Sequence, residues 1–91
     1  MNAETMAYYR PNAETRVIVD ASLVGLGAIL VQKQKDGSDR PVSYGSRALT
    51  PAEQRFSQTE REALAVLFGC THFHFFIYDR RFTVITVIKA Y

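Results

Sequence analysis

Two acidic residues, Asp20 and Glu62, stand in surroundings where a free carboxylate is costly. Asp20 ends a run of apolar residues, and Glu62 shares one stripe of a predicted helix with Val66, Gly69 and Phe73. An ionised carboxylate on an apolar stripe needs an ion pair, hydrogen bonds or a metal ion. Because oxygen ligands suit Mg²⁺ or Mn²⁺, the two residues predict half of a hard-metal site whose shell a phosphate would complete.

A second interpretation of the same two residues involves no metal. Asp20 would cap a turn, and Glu62 would form an ion pair with Arg61 or Arg16 at the surface. Residue type and spacing leave both interpretations open.

Other residues that could bind a metal or act as a nucleophile are weaker candidates. His72 and His74 are two residues apart, so on a helix their side chains point about 200° apart and cannot bind one ion together. The single cysteine, Cys70, has apolar neighbours and is expected to pack in the interior.

The strands that position Asp20 are predicted from apolar runs and turn signals. Residues 16–20 form a nearly continuous apolar run, which predicts a central strand covered on both faces. Residues 26–34 and 40–49 are predicted to form a hairpin, because Asp36-Gly37 between them tolerates positive φ. Pro41 has no amide proton to donate, which favours an edge position for the third strand.

The helix that positions Glu62 is predicted from two capping signals. Thr50-Pro51-Ala52-Glu53 predicts a first turn over residues 51–55, and Ser57-Gln58-Thr59-Glu60 predicts a longer helix from about residue 57 or 59 to about Phe75. From Ala63 to Cys70 every residue is apolar or glycine, so we expect this helix to be covered on most sides.

A fourth strand is predicted over residues 82–88, which are β-branched or aromatic throughout. A right-handed helical crossover would place it parallel to the first strand. The predicted fold class is therefore α/β, with three antiparallel strands, one long helix and a fourth strand, in the sheet order 3-2-1-4.

Length and composition limit the remaining choices. The 91 residues (10.3 kDa), 47% hydrophobic and 22% charged, are typical of one globular domain and exclude collagen, coiled coil and disorder. We expect an arm over residues 1–15 and a domain over residues 16–91. No signal peptide or membrane span is predicted, so we expect a cytoplasmic or nuclear location without membrane contact. The net charge of +2 permits a nucleic-acid partner without requiring one.

Six ordered motifs resemble successive landmarks of one family, the ribonuclease H domain of gypsy-type LTR retrotransposon reverse transcriptases. They are Val19-Asp20-Ala21-Ser22, Gly25-Leu26-Gly27-Ala28, Pro41-Val42-Ser43-Tyr44, Ser46-Arg47-Ala48-Leu49-Thr50, Thr59-Glu60-Arg61-Glu62-Ala63-Leu64-Ala65 and Phe82-Thr83-Val84-Ile85-Thr86. The resemblance extends over essentially the whole chain, and its arm is similar to the segment that joins polymerase to ribonuclease.

The resemblance implies a ribonuclease H-like fold and two-metal hydrolysis of the RNA strand in RNA/DNA hybrids, with Mg²⁺ or Mn²⁺ as cofactor. It implies that Asp20 and Glu62 are catalytic metal ligands. It also places the edge that carries Ser57, Gln58 and Thr59 against the hybrid's minor groove, where 2′-hydroxyls distinguish RNA from DNA. Helix capping is the alternative role for Ser57 and Thr59, and Arg47 is a candidate phosphate contact.

The chain departs from the family pattern at Val87, which stands where the family carries a third metal-binding aspartate. Thr86 and Lys89 on either side still match. The sequence also stops at Tyr91, before the C-terminal part of the family's fold, so we expect a partial domain that is inactive as an isolated chain. Two further hypotheses are a non-catalytic module that dimerises or docks on a polymerase domain through strand 82–88, and a module that binds hybrids without cleaving them.

Overall fold

The computed structural model describes residues 8–87 of the chain. In chain order, its elements are strand β1 (Thr15–Ala21), strand β2 (Gly25–Lys33), strand β3 (Asp39–Ala48), a 3-10 turn (Glu53–Arg55), helix α1 (Gln58–His72), the short helix α2 (His74–Ile77) and strand β4 (Thr83–Thr86). The predicted order of strand, strand, strand, helix, strand is therefore confirmed.

The four strands form one mixed sheet in the order β3-β2-β1-β4. β1 pairs antiparallel with β2, and β2 pairs antiparallel with β3, whereas β4 pairs parallel with β1. The predicted sheet order and strand directions are confirmed, and the helical crossover from β3 to β4 gives the expected parallel pair.

The β2–β3 hairpin turns at Asp36-Gly37, as the sequence predicts. Gly37 has φ +87°, which an L side chain rarely adopts. Asp36 Oδ1 stabilises the turn by accepting hydrogen bonds from the Ser38 amide at 2.9 Å and from the Ser38 hydroxyl at 2.6 Å. Pro41 lies on the edge strand β3, next to an irregularity where the ladder with β2 skips Val42.

Helix α1 covers one face of the sheet. Along β1, buried residues alternate with half-buried ones. The core includes Val17 and Val19 of β1 and Leu30 of β2. The expectation that both faces of the first strand are covered was wrong for residues 8–87. Apolar residues on the second face, such as Ile18, are only partly buried, and there β-branched side chains favour the strand without a second layer.

The same one-sided packing applies to α1, whose buried residues are Arg61, Ala65 and Gly69. Leu67, on the opposite side, is 62% exposed, so the expectation of a helix covered on most sides was also wrong within the described residues. Gly69 lies so close to β1 that a Cβ atom there would be 2.7 Å from Cγ1 of Val19. The helix therefore rests directly on the strand that carries the candidate aspartate.

Helix α1 ends at His72, before the predicted end near Phe75. Phe73, with φ −101° and ψ 18°, breaks the helix and is fully buried, and α2 follows from His74. The Phe73 ring lies in the core, edge-on to the rings of His72 and Phe76.

The described part of the arm packs on the domain. The Tyr9 hydroxyl donates to the carbonyl of Phe76, and the amide of Arg10 donates to Oε1 of the buried Gln32 at 2.8 Å. Nε2 of Gln32 donates back to the carbonyl of Arg10 at 2.7 Å. The boundary between residues 15 and 16 stays a prediction.

Strand β4 is shorter than predicted: it extends from Thr83 to Thr86, and residue 88 of the predicted strand lies outside the described residues. Over residues 8–87, no helix combines the length and the apolar character needed to cross a membrane.

Candidate active site

The end of β1 brings Asp20 beside the end of β4. Val19 pairs with Thr86 in the parallel ladder, and the amide of Val87 donates to the carbonyl of Val19 at 3.0 Å. Continuing this register by one residue sets Val87 opposite Asp20. Since side chains alternate along a strand, both belong to the face opposite the buried Val19.

The neighbours of Asp20 in the sheet contribute no metal-binding group. On the β2 side its partner is Gly27, where an added Cβ atom would meet no heavy atom within 4 Å. On the β4 side lies Val87, which is 40% exposed. Asp20 itself is half-buried, with its Oδ1 atom shielded from solvent. The surface around this carboxylate is thus open on one side and aliphatic on the other.

Glu62 lies near the start of α1, which begins with the predicted capping box. The Ser57 hydroxyl accepts from the Glu60 amide at 3.2 Å, and Glu60 Oε1 accepts from the Ser57 amide at 3.0 Å. These hydrogen bonds lower the pKa of the Glu60 carboxyl. The box fixes the first turn of the helix and therefore the position of Glu62.

A hydrogen-bonded chain ties Glu62 to the helix start. Gln58 Nε2 donates to Glu62 Oε1 at 3.1 Å, and Gln58 Oε1 accepts from the buried Arg61 guanidinium at 2.9 Å. Arg61 also donates to the carbonyl of Phe56. Glu62 is therefore held by an amide rather than by Arg61. Arg16, the other expected partner, forms ion pairs elsewhere, so the alternative pairing of Glu62 was wrong.

The turn after β1 is held by hydrogen bonds of Ser22. The Ser22 hydroxyl accepts from the amides of Val24 at 3.3 Å and Gly25 at 3.0 Å. The Ser22 amide donates to the carbonyl of Gly25 at 2.9 Å. This turn closes the strand end that carries Asp20.

Arg47, a candidate phosphate contact, forms a two-pronged ion pair with Glu53 at 2.8 and 2.9 Å. Hydrogen bonds from Arg47 and from the Thr50 amide lower the pKa of Glu53 to about 2. The Glu53 amide in turn donates to the Thr50 hydroxyl at 3.2 Å. The sequence signal at Thr50-Glu53 predicted this cap, but nothing in the spacing of Arg47 and Glu53 marked their pairing across a turn.

The donor atoms of residues 8–87 do not fit a two-metal centre. Such a centre needs several carboxylates to hold two divalent ions about 4 Å apart. Within residues 8–87, no group of three or more His, Cys, Asp or Glu side chains lies close enough to bind a metal ion. The aliphatic Val87 side chain, next to Asp20, has no lone pair to donate. No catalytic step through a metal ion can be derived from these residues.

Comparison with known proteins identifies the family. The model for the RNase H-like domain found in reverse transcriptase matches residues 1–84. The chain belongs to this family. The matched RNase H-like segment includes Asp20 and Glu62 and stops before Val87.

The curated relatives of this RNase H-like chain are transposon polyproteins. It is 37% identical over 86 residues to the retrovirus-related Pol polyprotein from transposon 412 of Drosophila melanogaster, covering 94% of this chain and 7% of that protein. It is 30% identical over 77 residues to the Pol polyprotein from transposon opus of the same organism, covering 85% and 8%. The transposon Tf2-3 polyprotein of Schizosaccharomyces pombe is 34% identical over 58 residues, covering 64% and 4%. The chain thus spans less than a tenth of the length of these relatives.

Solved structures share the RNase H-like chain's fold. A foamy viral protease-reverse transcriptase, the dRH form in complex with double-stranded DNA, matches with a TM-score of 0.80 and 18% identity, covering 96% of this chain and 16% of that one. A foamy viral protease-reverse transcriptase in complex with an RNA/DNA hybrid matches with a TM-score of 0.71 and 16% identity, covering 94% and 11%. At these identities the likeness establishes the fold.

Proposed function

We propose that this chain is the RNase H-like part of a retrotransposon reverse transcriptase that engages RNA/DNA hybrids without cleaving them as an isolated chain. The observation that carries the proposal is Val87, opposite Asp20 in the β1–β4 register. Family membership and the transposon relatives support the reverse-transcriptase setting.

The proposed inactivity follows from ligand chemistry. Asp20 and Glu62 are the acids that match the family's metal ligands, and the resemblance implies an aspartate at position 87. A valine there removes one anionic ligand and adds an apolar surface beside Asp20. Asp20 lies on the face of β1 opposite the residues that pack against α1, and Glu62 lies on α1. These two carboxylates alone cannot hold two Mg²⁺ or Mn²⁺ ions in register.

The proposed hybrid interface is the edge formed by the start of α1. Thr59 is exposed there, and the half-buried Gln58 lies beside it with its amide between Glu62 and Arg61. Ser57 would add a hydroxyl, although its side chain already caps the helix. Arg47 would bind a phosphate of the hybrid if it gave up its ion pair with Glu53. A solved relative in the family's fold binds an RNA/DNA hybrid, which supports this class of partner.

A cleavage assay tests the proposal. The 91-residue chain is incubated with a labelled RNA/DNA hybrid and Mg²⁺ or Mn²⁺, beside the Asp20→Asn variant. We expect neither protein to release RNA fragments above the level seen without protein. Metal-dependent cleavage by the unsubstituted chain that Asp20→Asn abolishes would overturn the proposed inactivity.

A second candidate function is protein interaction through strand 82–88, either in a homodimer or with a polymerase domain. The observation that favours it is the position of β4 at the end of the sheet order, with Ile85 39% exposed and Val87 40% exposed. Light scattering at increasing concentration tests the homodimer. A constant monomer mass up to high concentration would remove it.

A further inference from the structure

The charges of the described residues are separated between the two ends of the sheet. Near Asp20, Arg47 is paired with Glu53 and Arg61 is buried at the helix start. That end also carries four carboxylates, those of Asp20, Glu53, Glu60 and Glu62, against three basic residues, Arg47, Arg55 and Arg61. The chain's positive charge must therefore reside mainly elsewhere.

At the opposite end, three adjoining clefts form one continuous surface, here called the basal groove. One cleft of about 500 Å³ contains Tyr8, Arg10, Lys35 and Arg40 in its wall. A second of about 370 Å³ shares Arg10 and Lys35 with the first. It also shares residues 11–13 with a third of about 880 Å³, whose wall includes Arg80, Arg81 and Phe82.

The basal groove is remote from the candidate active site. Its walls include Thr15 and Thr83, the first residues of β1 and β4. Asp20 lies five residues further along β1, which corresponds to about 17 Å at the rise of an extended strand. A ligand in the groove would not need to touch Asp20.

Five basic side chains line the groove, and backbone carbonyls position two of them. Arg10 Nη2 donates to the carbonyl of Lys33 at 2.7 Å, and Arg80 Nη1 donates to the carbonyl of Pro11 at 3.0 Å. A carbonyl orients a guanidinium without neutralising it. Among residues 8–87, the ion pairs at this end all involve Arg16, which binds Glu14 and Asp39.

Three carboxylates also line the groove, and they do not cancel its charge. Glu14 is 3.3 Å from Arg16, which also pairs with Asp39. Asp36 accepts hydrogen bonds from Ser38 within its own turn, which lower the pKa of its carboxyl, so it counts as one negative charge. Asp79 is the third. With Arg16 counted, six cations face these three carboxylates and Asp39.

Two exposed aromatic rings, one in the first cleft and one in the third, line the basal groove. Tyr8 is 95% exposed beside Arg10, Lys35 and Arg40, and Phe82 is 37% exposed beside Arg81. A positively charged groove with exposed aromatic rings is the arrangement that binds single-stranded nucleic acid, because phosphates follow the cations and bases stack on the rings. An anionic membrane could use both the charges and the rings, so vesicles form one arm of the test.

We propose that the basal groove binds a single strand of RNA or DNA through Arg10, Lys35, Arg40, Arg80 and Arg81, with Tyr8 as a stacking platform. The proposal goes beyond the function proposed above, because it concerns another surface and requires no metal. Its test is therefore carried out in EDTA, where a failure of the groove and a failure of the Asp20 site are separate results.

The test is fluorescence anisotropy of a labelled single-stranded oligonucleotide titrated with the 91-residue chain at several salt concentrations. Five phosphate contacts predict a slope of log affinity against log salt of about −3.5, since each contact on a single strand contributes about −0.7. At 0.1 M salt, the loss of one contact lowers affinity about fivefold.

Charge variants locate the binding surface. Lys35 and Arg81 are exposed, so Lys35→Gln and Arg81→Gln should leave the fold intact, as far-UV circular dichroism would check. We expect each to weaken binding about fivefold, and the double variant about 25-fold. Arg55→Gln, the matched control at the other end, makes the same charge change and should stay within about twofold. Equal losses in Arg55→Gln and Arg81→Gln would overturn the proposal, because binding would then follow net charge alone.

Tyr8 separates stacking from charge. Tyr8→Ala should weaken single-strand binding at least about fivefold, whereas Tyr8→Phe retains the ring and should bind within about twofold. The proposal is wrong if no oligonucleotide binds at low salt, or if Tyr8→Ala has no effect and duplex DNA binds equally well. Binding to anionic phospholipid vesicles in preference to the oligonucleotide would also contradict it.

Discussion

The contact of Gly69 with β1 determines how closely the helix that carries Glu62 lies against the strand that carries Asp20. An added Cβ atom at Gly69 would be 2.7 Å from Cγ1 of Val19, 3.2 Å from Cγ1 of Val17 and 3.3 Å from the Cβ of Ala28. The first distance requires atoms to move, and a β-branched side chain in a buried strand has few ways to do so. Gly69→Ala must therefore shift the helix relative to the sheet.

Two opposing terms set the size of the effect of Gly69→Ala. Alanine in a helix interior is favoured over glycine by about 1 kcal/mol, whereas an added methyl group in a packed core costs about 1–3 kcal/mol. We expect a net decrease of about 1 kcal/mol in the free energy of unfolding. The measurement is urea denaturation followed by far-UV circular dichroism.

A double-mutant cycle isolates the steric cause. Val19→Ala removes the 2.7 Å contact and leaves those at 3.2 and 3.3 Å, so Gly69→Ala in that background should be less destabilising by about 1 kcal/mol than in the unsubstituted chain. Gly45→Ala is the control, because the atoms nearest to its Cβ belong to the ring of the exposed His72 side chain rather than to a buried strand. That variant should be neutral or stabilising by up to about 0.5 kcal/mol. A stabilising effect of Gly69→Ala in the unsubstituted chain would refute the close approach.

Two further predictions concern the start of α1 and the turn before it. Ser57→Ala breaks the capping box with Glu60 and should lower the free energy of unfolding by about 1 kcal/mol in urea denaturation. The neighbouring control, Thr59→Ala, should change it by less than about 0.5 kcal/mol. Equal effects of the two substitutions would contradict the capping role. The Glu53 carboxyl should titrate by NMR with a pKa of about 2, and Arg47→Ala should raise that pKa toward 4.5. Because the folded-state pKa is depressed, the ion pair's contribution to stability is complete above pH 4.5 and is lost as pH falls toward 2. A Glu53 pKa near 4.5 in both proteins would contradict the ion pair.

Local chemistry made much of the fold predictable. Asp36-Gly37 marked the hairpin because a turn there needs positive φ, and the Ser57 box marked the start of α1 because its reciprocal hydrogen bonds are made within four residues. The two hairpins of β1, β2 and β3, followed by a helical crossover to β4, were enough to predict the sheet order.

The features that the sequence did not predict depend on contacts between distant segments. Helix α1 ends before the buried Phe73, and the ladder between β2 and β3 skips Val42, and neither feature has a marker in the local sequence. The partial cover of α1 could not be judged from its composition, since apolar residues such as Leu67 read the same whether or not another layer lies over them.

The candidate site shows the same division. The placement of Asp20 beside Val87 followed from the resemblance, and it agrees with the β1–β4 register, in which Val87 directly follows β4. The hydrogen bond from Gln58 to Glu62 and the pair of Arg47 with Glu53 were missed, because each depends on side-chain conformation. The basal groove was missed for a different reason: its basic residues come from the arm, the hairpin and the segment before β4.

The most direct test of the central claim is a Mn²⁺ titration of the chain and of Val87→Asp, followed by the paramagnetic broadening of NMR signals near Asp20. We expect the unsubstituted chain to bind Mn²⁺ more weakly than roughly 1 mM, because it has too few anionic ligands. Val87→Asp should tighten binding at least about tenfold, or about 1.4 kcal/mol, and the uncharged control Val87→Asn should not. Tight, saturable binding of two Mn²⁺ ions by the unsubstituted chain, lost in Asp20→Asn, would contradict the claim that Val87 leaves the site without a metal centre.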